Sequence, residues 1–458
     1  MTTSTDVRPA LGLDRAALEA RFAKSIALAE RSHALIPGGA HTYAKGDDQL
    51  PAWAPVRVVR GDGCTVWDAD GHAYVEYGMG LRAVTLGHGY APVVQAATRA
   101  MQGTNFTRPA AIEVEAAEAL LDLVPGAEMV KFAKDGSTVT TAAIKLARAV
   151  TGRTKVAVCQ QNPFLSYNDW FIGRTPMDAG IPQQAVADTV AFEYNDFESV
   201  LKLFDDHAGE IACVIMEASR GSDPEEGFLH RVQWLCHQRG ALFILDEMIT
   251  GFRWHTGGAQ ALYGITPDLA CFGKALANGF SVSALTGRRD IMELGGLRTD
   301  QDRVFLLSAT HGAETHGLAA AIATMQVYRK HDICGFMHRQ GEKLRARLSA
   351  AITVAGVEGY VEVLGRSSNL VFATRDRAGR PSQAFRTLLL QELVLRGILA
   401  PSLVLSFAHD DGALDRTVAA FAEALHVYAR ALEEGGPDGG PGRWLVGRPV
   451  QPVFRKRA

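Results

Sequence analysis

The chain has 458 residues, of which 47% are hydrophobic and 21% charged, and its net charge is −3. This composition is typical of a soluble globular protein that is long enough for two or three domains. It gives no electrostatic case for a nucleic-acid partner, and no apolar run reaches the roughly 18 residues of a membrane span.

The first 80 residues predict a helix, a loop and a group of strands. Residues 14–33 have the apolar spacing of a helix, and "IPGGAHTYAKGDDQLP" (36–51) interrupts it with proline and glycine. Residues 56–80 alternate like β-strands and have turns at "GDG" and "DADG". We expect residues 1–75 to join a small domain.

From about residue 92, helical segments alternate with short apolar strands. Several strands are continuous apolar runs, which indicates a mostly parallel sheet with helices on both faces. We expect a large domain over 76–325, with ligands at the carboxyl ends of its strands. The predicted strands are 129–134, 155–160, 189–194, 211–217, 241–247, 269–274, 283–287 and 304–310, and the helices are 92–101, 112–123, 138–150, 197–208 and 228–239.

Long helical stretches with a few short strands follow, and they predict a smaller α+β domain over 326–434. The helices of this last part of the chain are predicted at 313–330, 335–353, 381–396 and 413–434. "GGPDGGPG" (435–442) indicates a flexible break, so we interpret 435–458, with its basic end, as a flexible surface tail.

The cysteines and the first residues favour a cytoplasmic location. None of the six cysteines forms a CxxC pair, which argues against a zinc ribbon. The start, "MTTSTDVRPALGLDRAALEA", lacks the basic segment and apolar core of a signal peptide. We also predict no metal site at "THGAETH" (310–316), which has no carboxylate at ligand spacing.

Two small hydroxyl residues lie where predicted strands give way to helices. In "AKDGSTVTTAAIKLARA" (133–149), the turn at Gly136 and Ser137 opens a helix, whose first backbone amides can bind an anion. Thr310 in "LLSATHGAETH" has a similar place. Either residue taken alone would equally well be a helix cap.

A buried acid and an amine follow two further strands. Asp246 comes directly after "ALFIL", and Lys274 ends another apolar strand in "CFGKALANG". Desolvation would make Lys274 a nucleophile for Schiff-base chemistry, although for a lone lysine a surface side chain would be the favoured interpretation. Together with the two turns that carry hydroxyl groups for a phosphate, these residues form a set that would bind pyridoxal phosphate, whose ring nitrogen needs a carboxylate. Glu247, next to Asp246, is expected to make a structural contact.

These motifs resemble those of class III aminotransferases in the fold-type I pyridoxal-phosphate superfamily, and in particular the branch with glutamate-1-semialdehyde aminomutase. The motifs are "DEMITGFR" (246–253), "FGKALANG" (272–279) and "THGAET" (310–315). The resemblance implies an α/β fold with a mostly parallel seven-stranded sheet in the large domain and a smaller α+β domain.

The resemblance also implies the role of each site residue. Asp246 would pair with the pyridine nitrogen, and Lys274 would form the Schiff base with the cofactor. Gly136 and Ser137 would hold the phosphate, and Thr310 would reach it from a second subunit. An obligate homodimer with shared active sites is therefore implied.

Three departures from the family pattern bear on the substrate. Thr138 replaces the usual acid, and "QQNPFLSYNDW" (160–170) lacks the usual aromatic-His-Gly, which leaves Phe164 first and Tyr167 second as ring-stacking candidates. Lys45 stands where the aminomutase has an arginine for the substrate carboxylate, and lysine lacks the bidentate fork. Glutamate-1-semialdehyde is therefore disfavoured as the substrate.

The variant segments look like a sub-branch that aminates sugar aldehydes or ketones. A polar loop with Tyr43, Lys45 and Asp47, together with Tyr167, would suit a polyhydroxy or cationic substrate. An equally good interpretation makes Asp47 and Asp48 a solvated turn. The predicted function is transamination from a small donor such as glutamate to a sugar, in aminoglycoside antibiotic biosynthesis at a 6′-type position.

Other outcomes of the same chemistry stay open at this point. They are a dehydratase, an epimerase or an aminomutase acting on an amino sugar, and an aminotransferase that forms an amino-octulosonate. A non-catalytic binding or regulatory module is disfavoured, because such a protein would be expected to lose Lys274 or Asp246.

Overall fold

The computed structural model describes residues 15–52, 57–103, 105–219, 222–435 and 440–456. The start of the chain, on which the signal-peptide interpretation rests, lies largely outside these residues. The chain divides into a terminal unit (Met1–Met79, Leu86–Gly89 and Phe336–Val453) and a central unit (Gly80–Thr85, Tyr90–Gly335 and Phe454–Ala458). Over the described ranges, no helix has the length and apolarity needed to cross a membrane.

A seven-stranded sheet forms the centre of the central unit. Its strands are, in spatial order, β4 (Met129–Ala133), β10 (Ser283–Gly287), β9 (Leu269–Phe272), β8 (Leu242–Asp246), β7 (Ile211–Glu217), β5 (Lys155–Cys159) and β6 (Thr189–Phe192). All neighbouring pairs are parallel except the two that involve β10. The mostly parallel seven-stranded sheet predicted from the sequence is thus confirmed.

Both faces of this sheet are buried, which explains the continuous apolar runs of its strands. Val156 and Val158 of β5 belong to one hydrophobic cluster. Ala157 and Cys159 alternate with them and belong to a second cluster on the other face. Because successive side chains of a strand point in opposite directions, a strand covered on both faces is apolar over most of its length.

Helices from the intervening segments supply the two covering layers. The helices of the central unit are α4 (Ala91–Met101), α5 (Ala111–Leu121), α6 (Gly136–Thr151), α7 (Asp169–Ile172), α8 (Gln183–Ala187), α9 (Phe197–Asp206), α10 (Phe228–Gln238), α11 (Gly258–Tyr263), α12 (Arg289–Met292) and α13 (Thr315–Lys330). Residues of α6 line the first cluster, and residues of α9 and α10 line the second.

The terminal unit contains two smaller sheets. One has the order β1 (Val58–Asp62), β2 (Thr65–Asp68), β3 (Ala73–Glu76) and β13 (Ile398–Leu399), and the other has β11 (Val361–Leu364), β12 (Asn369–Thr374) and β14 (Leu403–Val404). The remaining helices are α1 (Arg15–Arg21), α2 (Ala23–Leu35), α3 (Met79–Arg82), α14 (Ile333–Val354), α15 (Gln383–Leu395) and α16 (Asp411–Glu433). The single turn α3 and the long helix α14 each span a boundary between the units.

The structure differs from the sequence prediction at 304–310. This segment has no regular secondary structure, and individual hydrogen bonds connect it to its neighbours. Val304 N donates to Leu294 O at 2.8 Å, and Lys145 Nζ donates to Phe305 O at 3.0 Å. The run "VFLL" has the composition of a strand, but composition does not supply a neighbouring strand with which to pair.

The segment after the glycine-rich break also differs from the expected flexible tail. Residues 436–439 of the break lie outside the described residues, but Trp444 and Val446 beyond it are buried. Val446 N donates to Gln391 Oε1 at 2.9 Å, and Gln451 N donates to Asp48 O at 2.9 Å. The apolar side chains in "RWLVGRPV" give this segment a packed place in the terminal unit.

Candidate active site

Lys274 begins a short 3-10 turn, Lys274–Ala277, and only Gly273 separates it from the end of β9. Its φ of 43° lies in the left-handed region, which side chains other than glycine rarely adopt. Asn278 follows the turn with a φ of 45°, and its Oδ1 accepts a hydrogen bond from Thr85 N at 2.9 Å. Strained backbone of this kind persists where the surroundings hold it, and it is common at functional sites.

The surroundings of Lys274 favour its neutral amine. Desolvation is the main cause that lowers the pKa of Lys274, and the nearby charges of Arg82 and Arg253 act in the same direction. The carboxylates of Asp246 and Glu217 oppose this shift. A lysine with a lowered pKa has more of the unprotonated form that attacks a carbonyl carbon.

Asp246 is the last residue of β8 and is only 2% exposed. Its Oδ1 accepts a hydrogen bond from Met248 N at 2.8 Å. The residue beside it on β7 is Glu217, which is also buried. Burial, followed by the charge of Glu217, raises the pKa of Asp246 to about 7. A cation at this strand end, such as a protonated pyridine nitrogen, would stabilise the ionised carboxylate.

Glu247 makes the structural contact that the sequence indicated. Its carboxylate accepts hydrogen bonds from Ala259 N at 2.8 Å and Gln260 N at 2.9 Å, and from the hydroxyl of Thr250. A Cβ at Gly258 would lie only 2.5 Å from Glu247 Oε1, so the loop closes tightly around the acid. The two neighbouring acids therefore have different roles. Glu247 holds the loop that follows β8, and Asp246 lies at the Lys274 site.

The predicted phosphate turn opens α6. Asp135 caps the helix, since its carboxylate accepts from Thr138 N and Thr138 Oγ1, both at 2.8 Å. Ser137 is buried, and its Oγ accepts from Tyr167 N at 3.0 Å. The first amides of a helix have no intrahelical acceptor, so those of Gly136 and Ser137, with the Ser137 hydroxyl proton, suit a phosphate. Thr138, the departure from the family pattern, is committed to the cap.

Met248 links this turn to the other two segments. A Cβ at Gly136 would lie 2.8 Å from Met248 Sδ, and one at Gly273 would lie 2.6 Å from the same atom. The turn before α6, the segment after β8 and the turn after β9 thus meet at one side chain. Their donor set fits pyridoxal phosphate: an amine for the aldehyde, a carboxylate for the ring nitrogen and a helix start for the phosphate.

Comparisons with known proteins agree with this donor set. The model of the family described as "Aminotransferase class-III" matches residues 43–366.

The chain belongs to the class III aminotransferase family.

Relatives of this class III chain cover most of its length. A glutamate-1-semialdehyde 2,1-aminomutase of Chloroflexus aurantiacus is 32% identical over 428 residues, which are 87% of this chain and 96% of the relative. The aminomutase of Thermomicrobium roseum is 34% identical over 82% of this chain and 92% of its own. These relatives place the chain in the branch that the sequence motifs indicated.

Solved structures of other proteins share the fold of this class III chain. The pyridoxal-phosphate internal aldimine form of the FumI protein of Sphingopyxis sp. MTA144 has a TM-score of 0.82 and 27% identity, over 91% of this chain and 99% of that one. A glutamate-1-semialdehyde aminomutase of Pseudomonas aeruginosa PAO1 has a TM-score of 0.76 and 20% identity. The match covers 89% of this chain and 95% of the aminomutase chain. The fold-type I architecture, the enzyme class and the pyridoxal-phosphate cofactor are confirmed.

Three of the predicted class III site residues are exposed. Thr310 lies in a turn, and its carbonyl accepts from Asn105 Nδ2 at 2.8 Å. Phe164 is 47% exposed and packs edge-on against Phe171, with the ring centroids 6.0 Å apart. Tyr167 is 60% exposed, and its backbone amide holds Ser137. The contact of Thr310 with a phosphate, and the stacking of Phe164 or Tyr167, stay predictions.

The predicted substrate residues of the loop 36–51 lie in the terminal unit. Tyr43 is 62% exposed, and Lys45 is exposed as well. Asp47 accepts hydrogen bonds from Arg57 Nη1 at 3.1 Å and from His33 Nε2 at 2.9 Å. These contacts give Asp47 a structural role in its own loop. Recognition of a substrate by Tyr43, Lys45 or Asp47 stays a prediction.

The sequence interpretation missed four residues around Asp246 and Lys274, which are Arg82, Asn162, Glu217 and Arg253. Asn162 follows β5, is 6% exposed and donates to Glu217 Oε2 at 2.8 Å. Arg253 is fully buried, and its Nη2 donates to Arg82 O at 3.1 Å. Glu217 ends a strand as Asp246 does, so its position at a carboxyl strand end was a signal that could have found it.

Proposed function

We propose that the protein is an aminotransferase that moves an amino group from a small donor, with glutamate as the first candidate, to an aldehyde or ketone of a sugar. The observation that carries the proposal is the pairing of Lys274, whose pKa is lowered, with the buried carboxylate of Asp246 at adjacent strand ends. This is the arrangement that transamination needs, because the same amine must bind the cofactor and then handle a proton.

Each residue of the site has a task in this proposal. Bound pyridoxal phosphate supplies a ring that withdraws electrons from the substrate carbon. Asp246 would hold the proton on the ring nitrogen. The nearby charge of Glu217 raises the pKa of Asp246, so a positive partner is needed to keep the Asp246 carboxylate ionised. Gly136 and Ser137 bind the phosphate with backbone amides and a hydroxyl. Lys274 Nζ would take the proton from the substrate carbon and return it to the carbon on the other side of the transferred nitrogen.

The sugar acceptor is supported by the polar character of the loop 36–51 and by Lys45 in place of an arginine. An exposed tyrosine and lysine offer hydrogen bonds to a polyhydroxy substrate rather than a bidentate carboxylate site. We extend the proposal to aminoglycoside antibiotic biosynthesis at a 6′-type position. An amino-octulosonate product, or dehydration, epimerisation or amino migration on an amino sugar, would use the same residues.

The donor half-reaction tests the proposal. Mixing the purified holoenzyme with L-glutamate should convert the absorbance of the bound pyridoxal cofactor to that of the pyridoxamine form, with one equivalent of 2-oxoglutarate released. Addition of an aldehyde sugar should restore the first spectrum, and a sugar without a carbonyl group is the control. If no common amino donor converts the spectrum, the proposed transamination is wrong.

A second candidate function is that of the glutamate-1-semialdehyde aminomutases. Relatives of that name are 32% and 34% identical and are nearly fully covered by this chain. Incubation with glutamate 1-semialdehyde separates the two candidates. An aminomutase forms 5-aminolevulinate without any other amino donor, whereas the proposed sugar aminotransferase leaves this compound unisomerised.

We further propose a homodimer with shared active sites. Three large apolar side chains of the central unit, Phe106, Leu297 and Phe305, are 55%, 83% and 73% exposed, and a second copy would bury them. The Thr310 turn is bound to Asn105, next to Phe106, so a second copy that covers Phe106 would also meet Thr310. A cytoplasmic location is proposed because all six cysteines are buried free thiols.

A further inference from the structure

The segment Gly80–Thr85 carries an unusual backbone toward the Lys274 site. Gly80, Leu81 and Arg82 have φ values of 58°, 56° and 76°, so two side-chain-bearing residues lie in the left-handed region in succession. Such a conformation costs free energy and persists only where the surrounding structure holds it. Two side chains, those of Leu81 and Arg82, leave the backbone in this strained turn, and Arg82 carries the charge.

The strained segment is tied to both catalytic segments. Arg253, which lies in the loop after Asp246, donates from Nη2 to Arg82 O at 3.1 Å. Asn278, which follows the Lys274 turn, accepts from Thr85 N at 2.9 Å. The backbone at Arg82 and at Thr85 is therefore tied to the loop after Asp246 and to the turn that begins at Lys274. The backbone that carries the Arg82 side chain thus lies beside both catalytic segments.

The charges of the site identify Arg82 as the accessible guanidinium. The charges of Arg82 and Arg253 both act on Lys274. Arg253 is 0% exposed and serves the backbone of the strained turn, whereas Arg82 is only half-buried. In the proposed function Lys274 is engaged by the cofactor, so of these three cations Arg82 is the one that a substrate can reach.

We infer that Arg82 binds the α-carboxylate of the amino-acid donor and so sets the donor specificity of the enzyme. This inference rests on the proposed function. Arg82 would provide a guanidinium for a carboxylate, whereas the aminomutase has its arginine at the position of Lys45. A guanidinium binds a carboxylate through two parallel hydrogen bonds, which fixes the amine of the donor as well as its charge. The phosphate of the cofactor is the other anion with this chemistry, and the test separates the two.

The test compares Arg82→Met and Arg82→Lys with wild-type holoenzyme in the donor half-reaction. L-Glutamate is paired with 4-aminobutyrate, which is glutamate without its α-carboxylate. Loss of a charged, bidentate contact should weaken apparent glutamate binding by about 10- to 100-fold in Arg82→Met, with little change for 4-aminobutyrate. Arg82→Lys should fall between the two, because it keeps the charge and loses the fork. Arg99→Met, which removes an exposed arginine of α4, is the matched control and should behave as wild type.

Two binding measurements complete the test. Calorimetry with glutarate, which has carboxylates and no amine, should show tighter binding to wild type than to Arg82→Met, even if transamination itself fails. The dissociation constant of pyridoxal phosphate should be unchanged. Equal losses for glutamate and 4-aminobutyrate, a weakened cofactor with an unchanged donor ratio, or no glutarate binding by wild type would each overturn the inference. Failure of every donor in wild type, with glutarate still bound through Arg82, would overturn the proposed function alone.

Discussion

Replacement of Lys274 by alanine is expected to lower kcat/KM for aminotransfer by at least about 10^4-fold. The change removes both the amine that binds the cofactor and the group that moves the proton at the substrate carbon. Steady-state kinetics with glutamate and an aldehyde acceptor measure the loss. The absorbance of the bound cofactor should also change, because its covalent bond to the protein is no longer formed.

The control for this variant is Lys202→Ala. Lys202 lies on α9, is exposed and pairs with Asp206. Its replacement therefore also removes one lysine charge, but at a position away from the site. Near-wild-type activity is expected for it. If the Lys274→Ala protein keeps full activity, the proposed role of Lys274 is wrong. A different function, including a non-catalytic one, would then have to be tested.

The Asp246→Asn variant should lose activity and gain stability when no cofactor is bound. Activity should fall by about 10^2- to 10^3-fold, because asparagine cannot hold the proton on the ring nitrogen. In the folded chain, the pKa of Asp246 is raised from 3.8 to about 7, so between these pH values the folded state binds more protons than the unfolded state. The free energy of unfolding of the apoprotein therefore falls as pH rises from about 4 to about 7.

Denaturation of the apoprotein at several pH values measures this effect. At pH 8 the Asp246→Asn apoprotein should be more stable than wild type by up to about 4 kcal/mol, and the difference should vanish near pH 4. Glu247→Gln is the contrasting variant. Its free energy of unfolding should be lower than that of wild type by about 1–3 kcal/mol at pH 8. The reason is that an amide cannot accept all the hydrogen bonds that the carboxylate accepts. An Asp246→Asn apoprotein that is less stable than wild type at pH 8 would contradict the assigned electrostatics.

The sequence predicted the parts of the site that follow strand ends. Asp246 and Lys274 were predicted as site residues because each follows an apolar strand, and a parallel sheet brings such strand ends together. The same argument explains the turn at Gly136 and Ser137. These three features need only local sequence and the rule for the sheet, so no knowledge of long-range packing was required.

Other parts of the site depend on contacts that no local pattern encodes. The segment of Arg82 is tied by Arg253 and Asn278 to two loops that are far from it in the sequence. The left-handed φ of Arg82 is equally invisible, since arginine has no preference for that conformation. The segment 304–310 failed as a predicted strand for a related reason: its residues suit a strand, but pairing depends on a partner.

The most direct test of the account is to locate the cofactor on the chain. Borohydride reduction of the holoenzyme fixes the bond between cofactor and lysine, and peptide mass spectrometry then identifies the modified residue. The account predicts a single phosphopyridoxyl group on the peptide that contains Lys274, and none in the Lys274→Ala protein. Modification of another lysine, such as Lys134 or Lys45, in place of Lys274 would contradict the central claim.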